Sequence, residues 1–115
     1  MRYTAQTKIN NSRIKRLMIH ECQGGVYLFE YVMLNDGPSA GYTWFENLQT
    51  AFANCKQEYG VENEDWETIP DPFEHCQQDW IEPVRIVGRS TGNPRWGRYE
   101  KLVDGEWTEL NPDIE

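Results

Sequence analysis

The sequence lacks any long apolar run. No segment approaches the roughly 20 apolar residues that a membrane-spanning helix needs, and the first 16 residues, MRYTAQTKINNSRIKR, contain no apolar core of a signal peptide. We therefore expect a cytoplasmic protein that does not associate with membranes. Cysteine is also scarce, and an odd set of three, Cys22, Cys55 and Cys76, favours free thiols over a disulfide framework.

Catalytic signatures are lacking as well. The chain has no G-x-S-x-G nucleophile elbow, and GRSTG at residues 88–92 lacks the lysine and the strand-to-helix context of a phosphate-binding loop. The composition indicates no cofactor and favours a non-enzymatic protein. One alternative is a metal-dependent or thiol-dependent protein, because two His/Cys pairs together offer four ligands of the kind that zinc prefers. These are His20, Cys22, His75 and Cys76.

The sequence is rich in aromatic residues and has a modest content of aliphatic residues. Five Trp and six Tyr in 115 residues supply large side chains for a hydrophobic core. The length suits one domain. We place it at residues 14–110, after a polar arm at 1–13 and before a tail at 111–115.

Two regions have strand patterns. LMIHECQGGVYLFEYVM, residues 17–33, contains two β-rich runs around Gly24 and Gly25, which predicts a hairpin. The second run is largely apolar on both faces, so it is expected to be an interior strand. The last third contains PVRIVGR, RWGRYEKLV and EWTEL, with Asp104-Gly105 as a hairpin turn and Gly97 as a bulge.

The spacing between these regions predicts a helix over residues 43–59. Thr43 and Glu46 match a capping box, apolar residues recur from Phe45 to Tyr59 at helical spacing, and Gly60 suits a left-handed C-cap. The order β-β-α-loop-β-β-β then predicts an α+β fold, in which one amphipathic helix packs on a mostly antiparallel sheet of about five strands.

The loop at residues 62–82 concentrates negative charge. Residues 17–84 hold thirteen acidic residues and one basic residue, Lys56, within a chain of net charge −8. We expect the loop to be packed, because it has the apolar anchors Trp66, Ile69, Phe73, Trp80 and Ile81.

Two interpretations of this loop stay open. Its carboxylates either solvate the surface, as most charge runs do, or form a docking surface for a basic protein around aromatic anchors. The second interpretation gives the functional hypothesis: a small acidic binding module, by analogy an inhibitor or immunity-type protein. Its predicted contact residues are Glu62, Glu64, Asp65, Trp66, Glu67, Asp71, Phe73, Glu74 and Asp79.

The basic residues after position 84 suggest two lesser alternatives. Arg85 and Arg89 are expected on one strand face, and Arg95, Tyr99 and Lys101 on a face of the next, a pattern that can bind single-stranded nucleic acid. The acidic total opposes nucleic acid as a partner. The same residues could instead bind the acidic loop of another copy, and a purely structural domain without a discrete site is also consistent with the sequence.

Overall fold

A computed structural model describes residues 1–9 and 13–110. The chain divides into two compact units, Met1–Asp71 and Pro72–Glu115. The described residues form eight strands in two antiparallel sheets and one α-helix, which confirms the predicted α+β class. The predicted tail at 111–115 lies outside the described residues.

The first unit is a five-stranded antiparallel sheet with the helix, and its strand order is β4-β3-β2-β1-β5. In chain order its elements are β1 Arg2–Gln6, β2 Arg16–Cys22, β3 Gly25–Tyr31, β4 Gly41–Phe45, α1 Leu48–Tyr59, a 3₁₀ turn Asn63–Asp65 and β5 Glu67–Ile69. β3 has a neighbour on each side, so the prediction of an interior strand is confirmed.

The core of this unit lies between α1 and one face of the sheet. Alternation along β1, β2 and β3 directs one set of side chains to this face, and the helix adds two buried residues. The buried cluster consists of Ala5, Leu17, Ile19, Val26, Leu28, Ala51, Cys55 and Val61.

The opposite face of the sheet is aromatic and basic. It includes the stacked rings of Tyr27 and Phe29, whose centroids are 6.1 Å apart. Arg16 and His20, both buried, lie on this face of β2.

The N-terminal residues form a strand where the sequence predicts a polar arm. β1 pairs with β2 along its whole length, from Arg2 opposite His20 to Gln6 opposite Arg16. Tyr3 packs against the core and Ala5 belongs to it. The sequence pattern of this strand is hard to detect, because a buried position is occupied by the charged residue Arg2. Its Nε donates to the carbonyl oxygen of Pro70 at 2.7 Å.

The helix begins later than predicted. Residues 41–45 are strand β4, and the N-cap is Asn47, whose side-chain oxygen accepts a hydrogen bond from the Thr50 amide at 2.9 Å. The predicted capping box at Thr43 and Glu46 is therefore wrong. The predicted end is confirmed: Gly60 has φ +70° in a left-handed C-cap, and Val61 folds back to donate to the Cys55 carbonyl.

The hairpin between β2 and β3 is shifted by one residue from its predicted position. Cys22 is opposite Gly25, so Gln23 and Gly24 form the turn. Gly25 has φ +136°, and a Cβ added there would lie 2.3 Å from Nε1 of Trp44, so this position requires glycine on both counts.

The second unit contains a three-stranded sheet in the order β6-β7-β8. Its strands are β6 Val84–Ile86, β7 Tyr99–Val103 and β8 Glu106–Glu109, with a 3₁₀ turn at Arg89–Thr91. The predicted turn at Asp104-Gly105 is confirmed, and both residues have positive φ. Gly97, with φ +87°, lies in a turn before β7 and does not form a bulge within a strand.

Candidate functional site

The acidic segment, residues 62–71 of the first unit, is ordered at its start by two hydrogen bonds of its own, one to a side chain and one to the backbone. The Glu62 amide donates to the Asp65 carboxylate at 2.9 Å, and the Asp65 amide donates to the Glu62 carbonyl oxygen at 3.0 Å. These two bonds close the 3₁₀ turn at Asn63–Asp65. The sequence predicts one short turn here with Asn63 as its cap, whereas the cap is Glu62.

Strand β5 attaches the second half of the acidic segment to the sheet. Glu67 is opposite Thr4, and Ile69 is opposite Arg2. The terminal ammonium of Met1 lies 2.8 Å from the Asp71 carboxylate. A hydrogen bond from this ammonium, helped by its charge and those of His20 and Arg2, lowers the pKa of Asp71.

Trp66 anchors the acidic segment to the core. Its ring centroid lies 5.4 Å from that of Phe52, which in turn meets Tyr3 edge to face at 5.4 Å. The Trp66 indole nitrogen is buried and has no hydrogen-bond partner among the described residues. Trp66 therefore helps to hold the segment in place by packing against the core.

The carboxylates of the acidic segment fall into two groups. Glu62 lies 3.3 Å from Lys56, Asp65 lies 3.8 Å from Lys8 and Asp71 lies 2.8 Å from the Met1 ammonium, so these three have cationic neighbours. Glu64 and Glu67 are exposed, and neither has an ion-pair partner within residues 1–9 and 13–110. These two carboxylates are the ones that remain available to an incoming cation.

The other predicted contact residues belong to the second unit. Phe73 is 55% exposed, and Glu74 is exposed with its carboxylate 3.4 Å from Nε2 of the neighbouring His75. Asp79 is half-buried. Six of the nine predicted residues thus lie in the first unit and three in the second.

The histidines and cysteines do not form a metal centre in the described part of the chain. His20 and Cys22 share a face of β2, whereas His75 and Cys76 belong to the second unit. Among the described residues no group of three or more His, Cys, Asp or Glu side chains is placed to hold a metal ion. Burial, reinforced by the nearby Glu30 charge, raises the pKa of Cys55 to about 12, so this thiol is a neutral core residue.

The basic residues of the second unit do not form the predicted faces. β6 ends at Ile86, so Arg89 lies in the following 3₁₀ turn and not beside Arg85 on a strand. β7 begins at Tyr99, so Arg95 lies outside the strand that holds Lys101.

Two of these cations are also neutralised. Arg85 Nε lies 2.6 Å from Glu100, and its guanidinium lies 3.7 Å from the centre of the Trp107 ring. Arg98 is paired with Glu109 at 2.6 Å. Arg85, one of the residues expected in a cationic surface for nucleic acid, is therefore already paired with a carboxylate.

A surface pocket that the sequence did not indicate opens at the turn between β2 and β3. Its volume is about 430 Å³, and its lining includes the Trp44 indole and the carboxylate residues Glu21 and Glu46. The Trp44 nitrogen donates to the Gly24 carbonyl oxygen at 3.3 Å, which fixes the ring over the turn. In the sequence this pocket is marked only by a tryptophan two residues before a glutamate, a pattern that is too common to be diagnostic.

Comparison of the chain with protein-family models, with curated proteins and with solved structures gives no match. Within the described ranges none of the helices is long and apolar enough to cross a bilayer, and α1 has 12 residues. The functional argument therefore depends on the site's own geometry.

Proposed function

We propose that this protein is a non-enzymatic, cytoplasmic binding module that docks a basic protein partner through its acidic segment. The observation that carries this proposal is the pair of exposed carboxylates, Glu64 and Glu67, on a segment that is itself held in place. The 3₁₀ turn, the pairing of β5 with β1 and the packing of Trp66 hold the segment.

Preorganisation is what distinguishes such a segment from a solvated acidic loop. A mobile loop loses conformational entropy when a partner orders it, and each immobilised side chain costs about 0.5–1.5 kcal/mol. A segment that is already ordered avoids most of that loss. Its charges also keep a fixed arrangement, which favours the encounter with a basic surface and selects against an acidic one.

The structure changes which residues are expected to matter. Glu62 and Asp65 shape the turn and have lysine neighbours, so their removal would perturb the segment itself. Trp66 belongs to the packing of the core. The contact therefore centres on Glu64 and Glu67, and an inhibitor or immunity-type role is proposed by analogy alone.

The test compares two variants with the same change in charge. Glu64→Gln with Glu67→Gln removes the two available carboxylates, whereas Asp104→Asn with Glu106→Gln removes two acids from the hairpin between β7 and β8. Each tagged protein is used to capture partners from lysate of the native host at low and then moderate salt. Recovered proteins are identified by mass spectrometry, and association with the purified partner is then measured directly.

We expect the wild type and the hairpin variant to retain a basic partner that the segment variant loses. At low salt the association rate for the segment variant should fall about tenfold, because electrostatic steering raises on-rates by about 10–10³. Recovery of the same proteins by both variants, or an unchanged rate, would show that the acids only solvate the surface.

The metal-dependent or thiol-dependent alternative has no comparable support. Its four residues, His20, Cys22, His75 and Cys76, do not meet in a ligand group among the described residues. Metal analysis of protein purified without chelator tests it directly, and a stoichiometric transition metal would restore it.

A further inference from the structure

Strand β4 is an edge of the five-stranded sheet, and it carries neither a charged residue nor a proline. Among the described strands it pairs only with β3. Edge strands of natural proteins are normally blunted by charge, proline, bulges or very short length. The five residues of β4, GYTWF, contain no charge and no proline, whereas β5 at the other edge has three residues and begins with Glu67.

Three consecutive side chains of β4 are exposed. Tyr42 is 66% exposed and Trp44 is 48% exposed, and Thr43 between them is also exposed. Three further exposed apolar residues, Val32, Met33 and Leu34, follow β3 directly. Exposed apolar surface next to unpaired backbone groups is typical of an interaction site.

We propose that β4 pairs with β4 of a second copy of this chain, antiparallel and about a two-fold axis at Thr43. In that register Thr43 is opposite its own counterpart, and Tyr42 of each copy is opposite Trp44 of the other. The two five-stranded sheets then join into one sheet of about ten strands, which is at the upper end of the usual range for open sheets. The contact is isologous, as in most homodimers.

The side chains of β4 favour a second copy over a strand of another kind. Both pairs formed in this register, Thr with Thr and aromatic with aromatic, are among the favourable cross-strand pairs. The nearest acid, Glu46, falls opposite Ala40 of the second copy, so no like charges face each other along the strand. A basic partner, by contrast, would find no carboxylate within β4.

The two aromatic rings are already fixed by their own sheet. The Tyr42 ring lies 5.9 Å from that of Tyr27 and 6.4 Å from that of Phe29. The Trp44 indole is bonded to Gly24 at 3.3 Å. Little side-chain entropy is therefore lost when they meet another copy.

Salt should strengthen this dimer. Each copy has a net charge of −8, so the copies repel each other at long range, and the Debye length shortens from about 10 Å at 0.1 M salt to about 3 Å at 1 M. A dimer held by charge, such as one in which the basic residues of one copy meet the acidic segment of the next, would respond in the opposite direction. The sign of the salt effect thus separates the two modes.

The test is sedimentation velocity of the full chain over protein concentrations from about 1 μM to 1 mM, which span the dissociation constants expected for a modest interface. Three variants are compared with the wild type: Thr43→Lys, Thr43→Glu and, as a matched control, Thr68→Lys. Thr68 is an exposed threonine on β5, at the opposite edge of the same sheet. Far-UV circular dichroism checks that each variant is folded.

We expect the wild type and Thr68→Lys to dimerise alike, more tightly as salt rises. Each Thr43 variant alone should dissociate with a constant at least about tenfold higher, because like charges meet at the axis. An equimolar mixture of Thr43→Lys and Thr43→Glu should restore a dimer, since opposite charges then face each other. A wild type that is monomeric throughout, a Thr43→Lys dimer of wild-type affinity, or a mixture that stays monomeric would each overturn the proposal.

Discussion

Two arginines stacked on aromatic rings have opposite electrostatic surroundings. The guanidinium of Arg16 lies 3.7 Å from the centre of the Tyr31 ring and is buried, yet its Nε and Nη1 have no hydrogen-bond partner among the described residues. The guanidinium of Arg85 lies at the same distance from the Trp107 ring, but its Nε donates to Glu100 at 2.6 Å. Within residues 1–9 and 13–110 no carboxylate pairs with Arg16, whereas Arg85 is neutralised by Glu100.

The same substitution should act in opposite directions at these two positions. Arg16→Met removes two unsatisfied donors, each of which costs about 1–3 kcal/mol. It also loses a cation–π contact of about 2 kcal/mol and the long hydrogen bond from Nη2 to the Asn35 carbonyl oxygen at 3.4 Å. We expect the free energy of unfolding to rise by about 1 kcal/mol. Arg85→Met leaves Glu100 unpaired and should lower the free energy of unfolding by about 2 kcal/mol.

Urea denaturation followed by far-UV circular dichroism measures both changes. The two methionine variants are controls for each other, because each exchanges the same guanidinium for the same thioether. Destabilisation of comparable size in both would mean that the donors of Arg16 are satisfied in solution.

At the scale of elements, the sequence correctly predicted the turn and the helix end that depend on interactions between neighbouring residues. The Asp104-Gly105 turn and the Gly60 C-cap depend on backbone conformations that few other residues adopt, and both are confirmed. The helix start failed because two local rules competed. Thr43 and Glu46 fit a capping box, but the run of aromatic and β-branched residues around Thr43 prefers a strand.

Strands β1 and β5 were beyond sequence reasoning for a different reason. Each is stabilised by a partner distant in the chain, since Arg2 pairs with His20 on one side and with Ile69 on the other. The candidate site was limited in the same way. The sequence predicted an acidic surface, but it could not show that Asp65 has a cationic neighbour. That difference from Glu64 depends on Lys8, which the fold brings to within 3.8 Å of Asp65.

The position of the helix cap gives a direct test at this scale. Asn47→Ala should lower the free energy of unfolding by about 1 kcal/mol, because the Thr50 amide loses its acceptor. Asn47→Asp should be nearly neutral, since aspartate caps equally well and favours the helix N-terminus. Glu46→Ala should stay within about 0.5 kcal/mol, as for other surface positions.

Chemical denaturation of the wild type and the three variants, all at one low protein concentration, measures these differences. If Glu46→Ala were as damaging as Asn47→Ala, the helix would begin closer to residue 43, as the sequence alone predicted.

At the scale of the whole molecule, the two units have unequal cores. The first unit holds the buried cluster between α1 and the sheet. In the second unit the described buried apolar residues are Val84 and Ile86, both on β6. Local stability follows buried apolar contact, so backbone opening should cost less free energy in the second unit.

Hydrogen exchange should reveal this difference strand by strand. We expect the amides of β2 and β3 to exchange slowest and those of β8, a four-residue strand at an edge, to exchange fastest among the strands. Mass spectrometry of peptides after timed labelling measures the exchange rate of each strand, and each rate is corrected for the intrinsic rate of its residues. Equal protection of β8 and β2 would indicate that the chain opens as one cooperative body.

The ion pair between the Met1 ammonium and Asp71 has a practical consequence for every experiment above. An affinity tag fused before Met1 would turn the ammonium into a neutral amide, and Asp71 would lose its salt bridge. The ammonium also donates to the Glu21 carbonyl oxygen at 3.0 Å, so the tag would enter the sheet beside β2. A C-terminal purification handle keeps the Met1 ammonium charged, and it is the appropriate choice for the capture and sedimentation assays.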